Sequence, residues 1–259
     1  MSDLIQYEVD GRTALITINR PQKMNSLTPE MRDSLREAFV QANADESVWV
    51  IVFTGTGDRA FCSGSDLGSN ISRLTDDPAT GLKGAIPDPS KRWFSDIYKP
   101  IICAVNGVAV GGGVEMMLGT DIRVAADHAT FALREVARGI VPAGGSHVRL
   151  PRQVPWAVAM EIMLLGDPID AARAYSIGLV NRVVPGPEVL ATAHELAARL
   201  VRNGPVAVRT AKEAMVRSLE LEGPFSRDYY LSGTVFHTED AREGPKAFLE
   251  KREPRFTGR

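Results

Sequence analysis

The chain has 259 residues, of which 44% are hydrophobic and 24% charged, an ordinary balance for a globular protein. That composition excludes a disordered tail, a collagen-like chain and a coiled-coil rod. Thirty basic residues against thirty-two acidic ones give a formal net charge of -2, without the basic excess of a duplex-binding surface, so nucleic acid is not an expected partner.

Cys62 and Cys103 are too few for a disulfide framework and point to a reducing compartment. The most apolar run, Ile101 to Leu118, contains Asn106, Glu115 and four glycines, which a bilayer span would not tolerate. Met1 to Tyr7 carries Asp3 and lacks the cationic start of a secretory signal. A cytoplasmic protein with no membrane partner is the expectation.

In chain order, Arg12 to Ile18 reads as a short strand. Thr28-Pro29-Glu30 then starts a helix, with Thr28 as N-cap, Pro29 in the first position and apolar residues at Met31, Leu35, Ala38, Phe39 and Ala42. Val48 to Thr54 is a nearly unbroken apolar strand, the pattern of a parallel strand buried on both faces. Asp76 to Ser90, rich in Pro, Gly and Asp, reads as a loop of the kind that covers binding sites. Trp93 to Tyr98 reads as a helix end stopped by Pro100, and Ile101 to Val105 as a second buried strand. A glycine-rich connection leads into a helix from Gly112 to Leu118. Ile122 to Ala125 and Phe131 to Leu133 are short strands.

From Pro151 onward helices dominate. They are expected at Val154 to Leu165 with Gly166 as C-cap, at Asp170 to Tyr175, along the stripe Leu190, Ala193, Ala197 and Leu200, and at Val206 to Leu219, Phe225 to His237 and Asp240 to Lys251. Leu179 to Val184 is the last strand. The class is α/β, with an α/β core over residues 1–195 and a helical region over 196–259 apolar enough to pack on the core or on another subunit.

Gly55 to Ala60 fits a G-x-G-x-x-A fingerprint, but Phe61-Cys62-Ser63-Gly64 cannot open the helix that such a site needs. His128, His147, His194 and His237 are scattered without ligand spacing, so no metal is expected. Two glycine-containing turns follow buried strands: Phe61 to Leu67 and Val110 to Glu115. Small residues let backbone N–H groups approach a ligand, and two such groups aimed at one carbonyl oxygen make an oxyanion hole. A tight strand exit needs the same glycines. Glu115 falls in the first turn of a helix, where an acid is favourable in any case. Glu135 follows Phe131-Ala132-Leu133 and reads equally as a solvated helix start. Two carboxyl groups around one water would act as base and acid together, but twenty residues of sequence do not bring them together.

These residues resemble the crotonase (enoyl-CoA hydratase/isomerase) superfamily over nearly the whole chain. The matching segments are Ile18 to Pro21 with Asn25-Ser26-Leu27, Ala60 to Leu67, Ala104 to Glu115, Phe131 to Leu150, Gly178 to Val184 and Glu243 to Arg252. The resemblance implies a spiral of repeated ββα units whose C-terminal helices, 196–259, build a homotrimer or hexamer. It implies an enoyl-CoA hydratase that adds water across the 2,3 double bond of a trans-2-enoyl-CoA. By position, the N–H groups of Ser65 and Gly112 would hold the thioester oxygen, with Glu115 activating the water and Glu135 protonating C2. Arg20 and Lys23 fall where relatives hold CoA phosphates or ribose, and Phe248 and Lys251 on a helix that in relatives approaches a neighbouring subunit's CoA. The acyl-CoA thioester is then the substrate, with no separate cofactor.

The departures are Ser65 in place of alanine, Ser146 and His147 where glycine and threonine are common, and Arg134 beside Glu135, a cation expected to lower the Glu135 pKa. An enoyl-CoA isomerase, or a dehydratase similar to the carnitinyl-CoA members, is the alternative reading. A non-catalytic RNA-binding relative is the alternative from another class, and the near-neutral charge opposes it.

Overall fold

The chain enters through a hairpin. Strands β1 (Ile5–Asp10) and β2 (Thr13–Ile18) pair antiparallel from Asp10↔Thr13 to Ile5↔Ile18. Gly11 turns the corner in the left-handed region (φ 57°). Only Ile5 of β1 is buried, and the strand lies at the sheet edge, so its sequence carries no core pattern for a reader to detect. The computed structural model describes residues 3–66, 93–94 and 96–259.

Helix α1 (Pro29–Ala44) starts as its residues dictate. Thr28 Oγ1 accepts the Met31 N–H at 3.3 Å, and Met31, Leu35, Ala38, Phe39 and Ala42 face the core. Strands β3 (Val50–Gly55) and β5 (Ile101–Val105) are buried at every position. With β7 (Ile122–Ala126) and β10 (Arg182–Val184) they complete a six-stranded sheet of order β1-β2-β3-β5-β7-β10, parallel beyond the hairpin.

A second sheet, β4-β6-β8-β9, is built from short strands: β4 (Ala60–Cys62), β6 (Val108–Val110), β8 (Thr130–Ala132) and β9 (Ile169–Asp170). Three strands of the first sheet are each followed by a short strand of the second: β3 by β4, β5 by β6, β7 by β8. The chain therefore spirals, and the exits from β4 and β6 lie side by side because those strands pair in parallel. Helix α2 (Gly112–Leu118) leaves β6 directly. Its far end is held by the buried Arg123 guanidinium, which donates to the carbonyls of Met117, Leu118 and Thr120, and to that of Leu179.

The remaining helices are α3 (Ser146–Gln153), α4 (Trp156–Leu165), α5 (Ala171–Ser176), α6 (Val189–Val201), α7 (Pro205–Ser218), α8 (Glu222–Phe236) and α9 (Asp240–Leu249). Gly166 caps α4 at φ 69°, and Asp170 caps α5 through the Arg173 N–H at 2.7 Å. Helix α6 buries Val189, Ala193, Leu196 and Ala197 and packs on β3, β5 and β7, so the division expected at 195/196 lies inside a core helix. Helices α8 and α9 fold back on the chain that follows Glu135, where Phe236 and Ala241 pack with Ile140, Val141 and Ala143.

The helix end expected at Trp93 to Tyr98 is absent among the described residues. Trp93 and Phe94 take positive φ (33° and 54°), and the Phe94 ring stacks on Phe39 with centroids 4.0 Å apart. The expected loop Asp76 to Ser90, and Leu67, lie outside the described residues. Among those described, no helix is long and apolar enough to cross a membrane.

Candidate active site

The first glycine turn follows β4. Gly64 sits at φ 92°, and Leu27 straddles Ser65: its N–H donates to the Gly64 carbonyl (2.8 Å), and its carbonyl accepts the Asp66 N–H (2.9 Å). The Ser65 N–H between them has no acceptor among the described residues. Behind the turn, Arg20 Nη1 donates to Asp66 Oδ2 (2.6 Å) and to the carbonyl and hydroxyl of Ser26 (3.1 Å each). Buried Asn25 donates to the carbonyls of Thr56 (3.0 Å) and Ala60 (2.8 Å). The 20–27 segment is thus a polar brace for the Ser65 turn.

The second turn opens α2. Gly111 holds φ 55° and ψ -120°, and its N–H donates to the Ala132 carbonyl at 2.8 Å. Gly112 is the first helical residue, so its N–H is among those a helix start leaves without an intrahelical acceptor. A Cβ on Gly112 would stand 3.7 Å from Gly64 Cα and 4.0 Å from Ser65 N, so the two turns touch. A Cβ on Gly113 would strike the Cys62 carbonyl, so glycine there is a condition of that approach. Two backbone donors, one on a helix start, are thus brought close to each other.

Glu115 lies one turn into α2 and is buried, at 7% exposure. Its Oε1 accepts the Gly144 N–H (2.5 Å) and the Ser146 hydroxyl (2.9 Å). Glu135 arrives from the end of β8. Its Oε1 lies 2.7 Å from where a Cβ on Gly111 would stand, so its carboxyl rests against the turn that launches Glu115. Glu135 Oε2 is shielded from water and has no hydrogen-bond partner among the described residues. The structure therefore brings together four groups that the sequence scatters: the two amides and the two carboxyls.

Burial raises the proton affinity of both acids. In Glu115 the bonds from Gly144 and Ser146 oppose that rise. In Glu135 burial is joined by the nearby Glu115 charge, and its pKa is pushed up to about 8. The two carboxyls therefore act on each other, the Glu115 charge favouring the protonated form of Glu135. The expectation for Arg134 is corrected here. Arg134 is exposed, the cation acting on Glu135 is Arg138, and burial outweighs it, so Glu135 is raised and not lowered.

That raised value makes Glu135 a burden on stability at alkaline pH. The folded state keeps a proton that the unfolded chain has released above its ordinary value of 4.5. Stability is therefore fullest below that pH and declines as pH rises towards about 8. Glu135→Gln, which cannot ionise, is expected to raise Tm at pH 8.5 by at least about 2–4 °C, the effect of ~1 kcal/mol in a chain of this size. The gain should vanish near pH 4.5, where the wild-type carboxyl is protonated in the folded state. Thermal unfolding at the two pH values checks this, and a variant no more stable than wild type at pH 8.5 refutes it.

Residues 8–259 match the family described as Enoyl-CoA hydratase/isomerase. The chain belongs to this crotonase family. (E)-benzylidenesuccinyl-CoA hydratase of Thauera aromatica is 37% identical over 258 residues, covering 98% of this chain and 99% of that one. Crotonyl-CoA hydratase of Syntrophomonas wolfei is 36% identical over 256 residues, covering 97% of each. The crystal structure of carnitinyl-CoA hydratase from Mycobacterium avium superposes with a TM-score of 0.87 at 35% identity, covering 100% of both chains.

Within this crotonase fold the other four expected site residues are spread out. The Arg20 guanidinium is engaged with Asp66 and Ser26, while Lys23 is exposed at the end of a 3-10 turn, Pro21–Lys23. Phe248 stacks under the Arg138 guanidinium, 4.4 Å from its ring centroid, and Lys251 is exposed just past α9 with φ 56°. Helix α9 packs on the 3-10 turn Val136–Arg138 of its own chain, where a Cβ on Gly244 would collide with the Arg138 carbonyl. The C-terminal helix thus packs against the turn that follows Glu135 in its own chain.

Sequence reasoning missed the partners of Glu115. Gly144 lies so close that a Cβ there would stand 2.5 Å from Glu115 Oε2 and 2.6 Å from Trp93 Nε1. The signal available was the run Gly144-Gly145-Ser146 ahead of a helix that nothing else in the sequence announces. Among the described residues no group of three or more His, Cys, Asp or Glu side chains is placed to hold a metal.

Proposed function

We propose that the protein is an enoyl-CoA hydratase and that Glu115 and Glu135 work as a pair around one water. The observation that carries this reading is the convergence of the two carboxyls beside the Gly111–Gly112 turn, which presents the Gly112 amide and touches the turn that presents the Ser65 amide. The amides hold the thioester oxygen of a trans-2-enoyl-CoA and stabilise the negative charge that develops on it. Polarisation makes C3 electrophilic.

The hydrogen bonds then divide the labour. Glu115, with two donors on Oε1, is the better carboxylate and takes a proton from the water as its oxygen bonds to C3. Glu135, with an unpartnered oxygen and a pKa near 8, is the better acid and delivers a proton to C2. Atoms balance: the water's hydroxyl ends on C3, its other proton ends on Glu115, the Glu135 proton ends on C2, and a proton passes from Glu115 back to Glu135 before the next turnover. Dehydration of a 3-hydroxyacyl-CoA runs through the same groups in reverse.

Coenzyme A is part of the substrate in this reading, so no separate cofactor is needed. Lys23 and Lys251, both exposed cations, are available to its phosphates, and the Phe248–Arg138 stack to its adenine or pantetheine. Arg20 serves as a brace through Asp66 and leaves the phosphates to the lysines. The exposed apolar residues Val206, Met215, Leu219, Tyr230 and Leu231 on and beside α7 and α8 are to be covered by other copies in a homotrimer or hexamer.

The test is hydration of crotonyl-CoA, followed as loss of the conjugated thioester absorbance, beside longer 2-enoyl, 3-enoyl and branched enoyl thioesters. Turnover of a 2-enoyl thioester to its 3-hydroxy product supports the reading. Turnover of 3-enoyl thioesters alone, to 2-enoyl products without water uptake, replaces it with isomerisation.

A further inference from the structure

The Glu115 carboxyl is held by a short glycine-rich segment outside any strand, Gly144 to Ser146. Gly144 and Ser146 supply its two hydrogen bonds, and Gly145 between them sits at φ 97°. What fixes this segment is α8, a helix from the C-terminal region. A Cβ on Gly145 would stand 2.8 Å from both Arg149 Nη1 and the Phe225 ring of α8. The Arg149 guanidinium lies over that ring, 4.9 Å from its centroid, and donates to the Trp93 carbonyl at 2.8 Å. Beside it His147 Nδ1 donates to Asp228 Oδ1 (2.7 Å), and Ser232, one turn along α8, donates to the same oxygen (3.1 Å).

The Asp228 side chain is nearly sealed, at 5% exposure, and its Oδ2 has no hydrogen-bond partner among the described residues. A buried carboxylate with one oxygen unmatched is costly unless a cation stands beside it. No turnover step proposed above uses it. His147 stays 31% exposed and follows directly on Ser146, the residue whose hydroxyl is bound to Glu115.

We propose that His147 and Asp228 form a positioning pair for Glu115: α8 grips the start of α3 through them, holds the Gly144–Ser146 clamp in place, and sets a buried carboxyl and its imidazole partner behind the catalytic carboxyl. The charged groups facing Glu115 are Glu135 from the turn after β8, His147 and Arg149 from α3, and Asp228 from α8. Helix α2 itself supplies none. His147 draws the Glu115 proton affinity down and Asp228 draws it up, so the pair is balanced only while both members are present.

The signs give a test that packing alone cannot imitate. Asp228→Asn keeps the shape and removes the negative charge, so Glu115 should release its proton at lower pH. His147→Gln keeps a donor to Asp228 and leaves that carboxylate uncompensated, so Glu115 should release its proton at higher pH. The double variant should return towards wild type. The direct readout is a carbon-13 titration of glutamate side-chain carboxyls, with Glu115→Gln identifying the signal. In turnover, the acid limb of kcat/KM should move the same way, by about three- to tenfold in rate at a fixed pH on that limb.

The inference rests on the hydratase reading for its catalytic meaning, but the carboxyl titration does not require turnover. If crotonyl-CoA and its relatives are not hydrated, that reading fails and the midpoints still decide the pair. Opposite shifts in the two single variants support it. Unchanged midpoints, or shifts in the same direction, overturn it, as does a double variant no closer to wild type than the singles.

Discussion

Glu115→Gln is expected to lower kcat for crotonyl-CoA hydration by about 10²–10⁴, the range of a positioned acid–base group, with a much smaller change in KM. The substitution is nearly isosteric. A glutamine oxygen can still accept from Gly144 and Ser146, so the clamp survives and only the proton acceptor is lost. A second effect follows from the pairing. The Glu115 charge helps to raise Glu135 towards about 8, so its removal lets Glu135 ionise more readily. The residual activity needs Glu135 protonated, and its alkaline limb should therefore begin at lower pH than in wild type. Steady-state pH profiles of both proteins measure the two effects together. A variant with near-normal kcat excludes Glu115 as the base. A large loss with an unmoved alkaline limb leaves Glu115 in the reaction but breaks its coupling to Glu135.

How much of this was legible in the sequence depends on how far each signal reaches. Thr28-Pro29 and the spacing of Met31, Leu35, Ala38 and Phe39 lie within a few residues of one another, and they locate α1 correctly. The same holds for β5 and for α2, whose observed bounds match the reading. β4 and β6 are three residues each, too short to display any period. Helix α3 contains Pro151, Arg149 and Arg152 and begins after a glycine at φ 97°, so its sequence advertises a break more than a helix. At the site, the glycines were visible but their mutual contact was not, because Gly64 and Gly112 meet only through the pairing of β4 with β6. Arg20 reads as a free cation until the fold delivers Asp66 to it. Arg134 reads as the neighbour of Glu135, yet the turn that follows points it outward and brings Arg138 round instead. Family resemblance bridges distances that local patterns cannot, because it carries the pairing of β4 with β6 along with the residues.

Gly112→Pro should separate the work of the amide from the shape of the turn. Proline deletes the N–H and puts its Cδ where the hydrogen pointed, so it removes the donor and crowds the place of the oxygen it would hold. Position 112 is the first residue of α2, where proline is best tolerated in a helix, and its φ is not in the left-handed region. A Cβ there would make ordinary contacts, 3.7 Å to Gly64 Cα. Gly112→Ala, which adds the Cβ and keeps the N–H, is therefore the control and should stay near wild type. Loss of one oxyanion donor typically costs about 10²–10³ in rate. The proline variant should lose at least that much in kcat, because the thioester oxygen accepts its strongest hydrogen bond only when charge has moved onto it, and binding should weaken as well because the Cδ crowds that oxygen. The Ser65 amide remains, braced by Leu27 and Asp66, so hydration should be slowed and not abolished. If proline and alanine fall together, crowding at Gly64 explains the loss. If neither falls, the thioester oxygen is held elsewhere, and the two turns meet only to pack β4 against β6.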